Sequence, residues 1–355
     1  MKNLDFSRYA LTSCAAAAML AGCSGSQPPI SAPGAMPLSV SSGTIYVANE
    51  VETGSGWAGT VNEYTLGSTG NVPPTHVIAG SNTQLSRVGG LVVDGSGEIY
   101  VANVDTPSIV GFPAGSSGNA SPNIVIIGQN TGLAWPVGIA LDRAGNLYVA
   151  NCGSKCASGL PPPSVSEFLA GSNGNVAPHN VITGPRTQLS IVNAPGVDAR
   201  GNIYVSNQDN SVDIFRPHAR GDAYPRCVIS GSETQMDDPD GLAVDAIGLY
   251  IDAEQKSTIE RFTLKACGNA QPLAVVSGKR TDLSGPNGLT IGPGGSVWVA
   301  TFAGHVLEYA AKAKRDARPL TDIYGSNTEL SVPVWAFATA GGSGSLWSTE
   351  RGMER

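Results

Sequence analysis

The chain has 355 residues, 41% of them apolar and only 14% charged, with 45 glycines and a formal net charge of −7. Disorder needs low hydrophobicity with high charge, so this composition excludes a disordered chain, and it does not suit a coiled coil either. No Lys/Arg cluster occurs, which excludes a nucleic-acid footprint, while short apolar runs punctuated by Gly point to an all-β chain with many turns.

Lys2 and Arg8 precede a short apolar stretch, Tyr9 to Leu20. It falls far below the roughly 20 residues that span a bilayer and reads as a targeting segment. It ends in LAGC, Leu20 to Cys23, which resembles a bacterial lipobox. The resemblance implies cleavage before Cys23, a thioether-linked diacylglycerol on its sulfur, and acylation of the new amino terminus. Several acyl chains on one residue make a stable membrane anchor, whereas a single one binds marginally. The alternative is an ordinary cleaved secretory signal with an incidental Cys. The absence of Asp after Cys23 favours, by the same resemblance, the outer membrane of a two-membrane cell envelope. The expected organisation is a signal peptide over 1–22, a lipidated Cys with a Ser/Pro/Gly tether over 23–35, and a folded domain over 36–355.

A phrase like IYVAN then recurs, starting at Ile45, Ile99, Leu147, Ile203, Leu249, Val297 and Leu346, with spacings between 46 and 56 residues. A period this long, with strands and no helical pattern, is the signature of a β-propeller. Each unit carries four strands. The first reads GLVVD, GIALD, GLAVD or GLTIG and leads through an Asp/Gly turn to the second, the IYVAN phrase itself. The third holds a β-branched residue three before an aromatic, as in Val61/Tyr64 and Val212/Phe215, and the fourth resembles HVIAG. The near-continuous apolar runs fit strands buried on both faces between neighbouring blades. Seven first-and-second strand pairs stand against six third-and-fourth pairs. Seven blades are therefore expected, the last incomplete, with six blades and a surplus terminal hairpin as the alternative.

The pattern P-x-GLAVD…GNIYVAN…VxxF resembles the NHL-repeat propellers and their relatives, the gluconolactonase (SMP-30-like) enzymes and the virginiamycin B lyases. The likeness runs from Pro37 to Arg355 and speaks to the scaffold rather than to an activity. It implies that the loops after the second and fourth strands share one face around a central channel. Unit one inserts EVETGSGWAGT (Glu50–Thr60) there, and unit three inserts CGSKCASGLPPP (Cys152–Pro163). Glu50, Glu52, Trp57, Asp105 and His305 are the binding-face candidates. Trp57 reads either as a partner contact or as a loop anchor burying its own ring.

Asn49, Asn103, Asn151 and Asn207 fall at one repeated position, as expected of a structural cap. Unit five breaks the repeat with Ala253, flanked by Asp252 and Glu254 and preceded by DDPDG, Asp237 to Gly241. With Asp209, the residues Asp237, Asp238, Asp240, Asp252 and Glu254 form a candidate hard-oxygen site of the kind that suits Ca²⁺, or else a solvated acidic turn. The lactonase resemblance implies a Glu on an early inner strand, which the segment PLSVS does not supply; the lyase resemblance implies a His and Glu constellation, and only His305 lies in a face loop. Cys152, Cys156, Cys227 and Cys267 permit three pairings in an exported chain, with Cys152–Cys156 and Cys227–Cys267 favoured. The reading as a whole is an exported, lipid-anchored, monomeric propeller that binds a protein, glycan or small molecule. A Ca²⁺-dependent, lactonase-like hydrolase is the alternative.

Overall fold

The repeated strands pair within their own repeat, and six four-stranded antiparallel sheets result. The computed structural model describes residues 43–54 and 56–339. The targeting segment, Cys23, the tether, the PLSVS segment and residues 340–355 lie outside the described residues. Blade I contains β1 (Thr44–Thr53), β2 (Gly56–Thr65) and β3 (His76–Ile78). Blade II is β4 (Val88–Val93), β5 (Ile99–Asn103), β6 (Ser108–Phe112) and β7 (Ile124–Ile127). Blade III is β8 (Pro136–Leu141), β9 (Leu147–Asn151), β10 (Ser164–Phe168) and β11 (Asn180–Thr183). Blade IV is β12 (Val192–Val197), β13 (Ile203–Asn207), β14 (Ser211–Phe215) and β15 (Cys227–Ser230). Blade V is β16 (Pro239–Val244), β17 (Leu249–Ala253), β18 (Thr258–Phe262) and β19 (Ala274–Val276). Blade VI is β20 (Pro286–Ile291), β21 (Val297–Thr301), β22 (Val306–Tyr309) and β23 (Thr321–Ile323), and β24 (Val332–Thr339) follows it.

The last of these strands corrects the expected blade number. β24 does not open a seventh blade; it takes the innermost place of blade I, in the order β24-β1-β2-β3. Its register runs from Thr44 opposite Thr339 to Glu50 opposite Val332. The described residues therefore form a six-bladed propeller whose first blade is closed by β24. The surplus first strand in the sequence count is the piece of blade I that a linear reading separates from its sheet.

Both faces of the middle strands are buried, as in β9, β13 and β14, where every residue is covered. The large side chains Tyr64, Phe112, Phe168, Phe215, Phe262 and Tyr309, which are the repeated third-strand aromatics, are all at most 1% exposed. At about 25 cal/mol per Å² of buried apolar surface, these six rings are a main source of cohesion between blades. The innermost strands approach closely enough to demand glycine. A Cβ on Gly138 would stand 2.3 Å from the Asn193 carbonyl oxygen, and one on Gly241 would stand 2.4 Å from Leu289 N. This is the physical reason for the Gly that begins the repeated GLAVD phrase.

The outer strand of each blade is covered by the neighbouring repeat. The loop between third and fourth strands sends a residue alongside the fourth strand of the preceding blade, as in the parallel bridges Ile78↔Gly118 and Ile126↔Gly174. The next side chain then accepts from a backbone N–H of that blade: Asn119 from Asn82 N at 2.7 Å, Asp222 from Arg186 N at 2.7 Å, and Asn71 from Asn327 N at 2.7 Å. The last of these joins blade I to blade VI. Six such clasps close the circle, leaving few sheet edges open to association.

Candidate functional site

The strand-end asparagines fix the face from which all candidate loops rise. Asn103 accepts from Ser86 N at 3.0 Å and donates to the Gln84 carbonyl at 2.9 Å. Asn49, Asn151 and Asn207 likewise accept from Ser331 N, Ala134 N and Ser190 N. Each ties the end of a second strand to the loop that enters from the preceding blade, which satisfies buried backbone groups that would otherwise lack partners.

Blade I departs from this plan in length. β1 and β2 pair continuously to Thr53↔Gly56, beyond the level at which the other second strands end. At about 3.3 Å per residue, the extra residues raise the tip by roughly 13 Å. Glu52 and Trp57 lie opposite each other near that tip, and the indole is 42% exposed. Lower down, Glu50 is buried and bonded to Arg87 Nε at 3.1 Å. Burial raises the Glu50 carboxyl, Arg87 opposes that, and Asp105 adds to it by repulsion. The Arg87 guanidinium lies over the Trp135 ring, 5.9 Å from its centroid. The hairpin, the loop entering blade II and the loop entering blade III are thus linked in series.

The other inserted loop is closed by Cys152–Cys156, with Cα atoms 5.6 Å apart, and Cys227–Cys267, at 5.7 Å, joins β15 to the clasp loop of blade V. Both favoured pairings are present.

Blade V gathers the acids. Oxygens of Asp238, Asp240 and Glu254 all lie within 4.8 Å of one another. Asp240, held by Asn193 Nδ2 at 2.7 Å, is raised well above the usual carboxylate range, first by burial and then by Asp252, Glu254 and Asp238. Glu254 is raised by burial and by Asp238. Asp252 stands behind them, fully buried, accepting from Gly241 N at 2.7 Å and Gly288 N at 3.0 Å. Burial pushes it up to about 6 against those two bonds. Its place is structural as well as electrostatic, since it ties the inner strands of blades V and VI. Asp237 and Asp209 stand apart: Asp237 faces Lys256 Nζ at 3.9 Å, and Asp209 accepts from Ser211 at 2.6 Å. His305 lies in the β21–β22 turn, bonded to Asp322 at 2.8 Å and stacked on Tyr324 at 5.0 Å.

Two buried acids escaped the sequence reading. Asp213 and Glu260 sit two residues into the third strands of blades IV and V, both with no exposed surface. Each has one carboxyl oxygen without a partner, Oδ1 and Oε2 respectively. Burial raises Asp213 to about 7 and Glu260 to about 8. The corresponding residue of blade I, Asn62, donates to the Thr328 and Glu329 carbonyls at 3.4 and 3.2 Å. The acids make no such donated bond: Asp213 accepts from Asn207 Nδ2 at 3.0 Å and Glu260 from Thr258 at 2.5 Å, and protonation relieves the cost of burying their charge. An alignment of third strands, in which Asn62, Ser166, Asp213 and Glu260 coincide, would have singled them out.

No family model matches the chain, and no curated protein matches it. Solved structures do. The WD40 β-propeller domain of Doa1 aligns with a TM-score of 0.51 at 12% identity, over 78% of this chain and 79% of that one. A protein of unknown function from Bacteroides caccae aligns at 0.56 and 11%, over 84% and 99%. A chain of a nidogen/laminin complex aligns at 0.54 and 15%, over 85% and 99%. The chain is a β-propeller. At these identities the likeness is one of fold, and any function has to come from the site.

Proposed function

We propose that this propeller is an exported, lipid-anchored binding module that engages a partner protein, glycan or small molecule through its loop face. The supporting observation is the raised β1–β2 hairpin, which holds an exposed indole at its tip while its base is fixed by the Glu50–Arg87 pair. A large rigid aromatic on a pre-organised element is the usual anchor of an interface, because little conformational entropy is lost on contact. The polypeptide enters β1 at Thr44, on the face opposite the hairpin tip. Palmitate labelling that vanishes in Cys23→Ser is expected. A photo-crosslinking side chain at position 57 should capture a specific species in intact cells, and one at Ser116, in a clasp loop, should not. Equal crosslinking at both positions, or none at position 57, would refute the reading.

The alternative, a Ca²⁺-dependent hydrolase of the lactonase kind, is favoured by one observation, the convergence of Asp238, Asp240 and Glu254. Three carboxylates crowded together relieve their repulsion by protonation or by taking up a hard cation, and oxygen donors on loops suit Ca²⁺. A hundredfold excess of Ca²⁺ over its dissociation constant stabilises the native state by about 2.7 kcal/mol. The expected rise in thermal midpoint should disappear in Asp240→Asn and on chelation. An unshifted midpoint would remove the cation and the hydrolase with it.

A further inference from the structure

The third strands run away from the loop face, so the loops that follow them emerge on the opposite face. These six loops divide sharply by charge. Those of blades I, II and III, residues 66–75, 113–123 and 169–179, contain no Lys, Arg, Asp or Glu. Blade IV has three Arg over 216–226, blade V has Lys265, and blade VI has four Lys or Arg over 310–320, eight bases against two acids. All eight are exposed. The two acids, Asp222 and Asp316, are each held at 2.9 Å by an Arg of the preceding blade, Arg186 and Arg280. Asp198 and Asp245, in the inner turns of the same face, accept from N–H groups of their own turns. The sequence divides the bases among three loops, and the fold sets those loops side by side. The blade V loop lies along β15 and the blade VI loop along β19, through Ile229↔Gly268 and Val276↔Arg315, and Cys227–Cys267 bonds the first of these beside Arg226.

Apolar side chains stand among these bases. Tyr224, Leu273 and Leu320, one in each loop, are 66%, 56% and 61% exposed, and Ile247 in the β16–β17 turn is exposed on the same face. At the position of Leu273 and Leu320, fixed by a backbone bond to the third strand, blades I to III carry Thr75, Asn123 and His179. Two of the bases also stand where the backbone favours glycine. The clasp residue is Gly in blades I to V, at φ between 62° and 76°, and Arg315 in blade VI, at φ 58°. The turn residue three after the third-strand aromatic is Gly67, Gly115 and Gly171 in blades I to III, and Lys312 in blade VI, at φ 62°. A left-handed conformation costs a residue with a Cβ free energy that glycine escapes. Blade VI bears that cost twice, and what stands there in return is an exposed cation.

We propose that the rim of blades IV to VI on this face docks on an anionic lipid surface. Headgroup phosphates take the Arg and Lys side chains, while Tyr224, Leu273 and Leu320 enter the boundary between headgroups and acyl chains. Charge alone would suit any polyanion. The exposed apolar side chains favour lipid, because a surface both basic and apolar is complementary to the layers of a bilayer interface. Tyr there keeps its ring in the apolar layer and its hydroxyl in the polar one, and Lys and Arg lay their stems along hydrocarbon with the charge in water. The docking uses neither the hairpin nor Cys23, and stands whether or not the loop face binds a partner.

The test is co-sedimentation of the full chain carrying Cys23→Ser, which excludes an acyl anchor at that position, with vesicles of phosphatidylcholine alone or mixed with phosphatidylglycerol. Stronger binding to the mixed vesicles is expected. Lys312→Gly with Arg315→Gly restores the glycine of other blades, so the thermal midpoint should hold or rise. Affinity for the mixed vesicles should nevertheless fall about thirtyfold, the factor carried by two bases at about 1 kcal/mol each. Leu273→Ser with Leu320→Ser should weaken it as well. Three results would overturn the proposal: no preference for the mixed vesicles; undiminished affinity in the double glycine variant; or undiminished affinity in the double serine variant, which would make a soluble polyanion the ligand.

Discussion

Replacing Glu260 by Gln should remove much of the dependence of stability on pH. The carboxyl is fully buried between Thr258, which donates to Oε1 at 2.5 Å, and an unpartnered side at Oε2. Burial, the leading cause, raises it from 4.5 to about 8, with Asp252 adding to the rise. A group raised in the folded state stabilises that state fully below its unfolded value. The contribution is then lost as pH climbs from about 4.5 through about 8. At about 1.4 kcal/mol per pH unit, the whole interval is worth on the order of 5 kcal/mol, and the part between pH 5.5 and 8.5 about 3 kcal/mol. Guanidinium unfolding of wild type and Glu260→Gln at those two pH values isolates the contribution, because every other titrating group cancels in the difference. The wild type should lose about 3 kcal/mol more than the variant over the interval. Parallel losses would refute the reasoning, and would mean that the carboxyl is ionised in the fold and has a partner there. Asp213→Asn should behave in the same direction over a narrower interval, since Asp213 is raised only to about 7.

The two disulfides should differ in what their removal does. In the chain-entropy account, Cys227–Cys267 closes 40 residues and its loss through paired Ser substitutions should cost about 4 kcal/mol. Cys152–Cys156 closes four, and its loss should cost about 2 kcal/mol. Guanidinium midpoints of the two double variants give the comparison, and a larger loss from the short loop would contradict it.

The blade fold was legible because every repeat obeys the same rule of burial. The IYVAN phrase marks the middle of each sheet, and its apolar run follows from being covered on both faces. The blade number was misread for a topological reason. A ring that is cut within a blade shows that blade's pieces at both ends of the chain, so counting the inner strands overestimates, whereas the third and fourth strands number six. The motif that crosses from blade to blade does not suffer from this. Gly70-Asn71, Gly118-Asn119, Gly174-Asn175, Gly221-Asp222, Gly268-Asn269 and Arg315-Asp316 occur six times. The threonine of the loop after the fourth strand, from Thr83 to Thr328, also occurs six times, and in each it bonds back to a glycine carbonyl.

The candidate site was legible only as a departure from the repeat. Ala253 in place of Asn directed attention to blade V, where three of the six candidate acids converge. Sequence spacing could not separate these from Asp209 and Asp237, because the separation depends on which side of a turn each carboxylate leaves. The juxtaposition of Tyr250 and Arg261 was hidden for a different reason. Each looks ordinary by itself, and only the register of β17 on β18 places them opposite one another.

Closure by β24 also sets an order of events during folding. Blades II to VI are each built from strands contiguous in the chain, so their hairpins form from local contacts as soon as they are made. Blade I cannot be completed until residues 332–339 exist, because β1 waits for a neighbour nearly 290 positions away. The entropy of so distant a pairing grows only with the logarithm of the separation, and five assembled blades hold the ends near each other. Kinetics bears the larger burden. Until β24 arrives, the inner edge of the apolar strand TIYVAN stands open, and an unpaired edge of that composition is a template for another chain. The hazardous interval in the life of this propeller is the one just before β24 is seated.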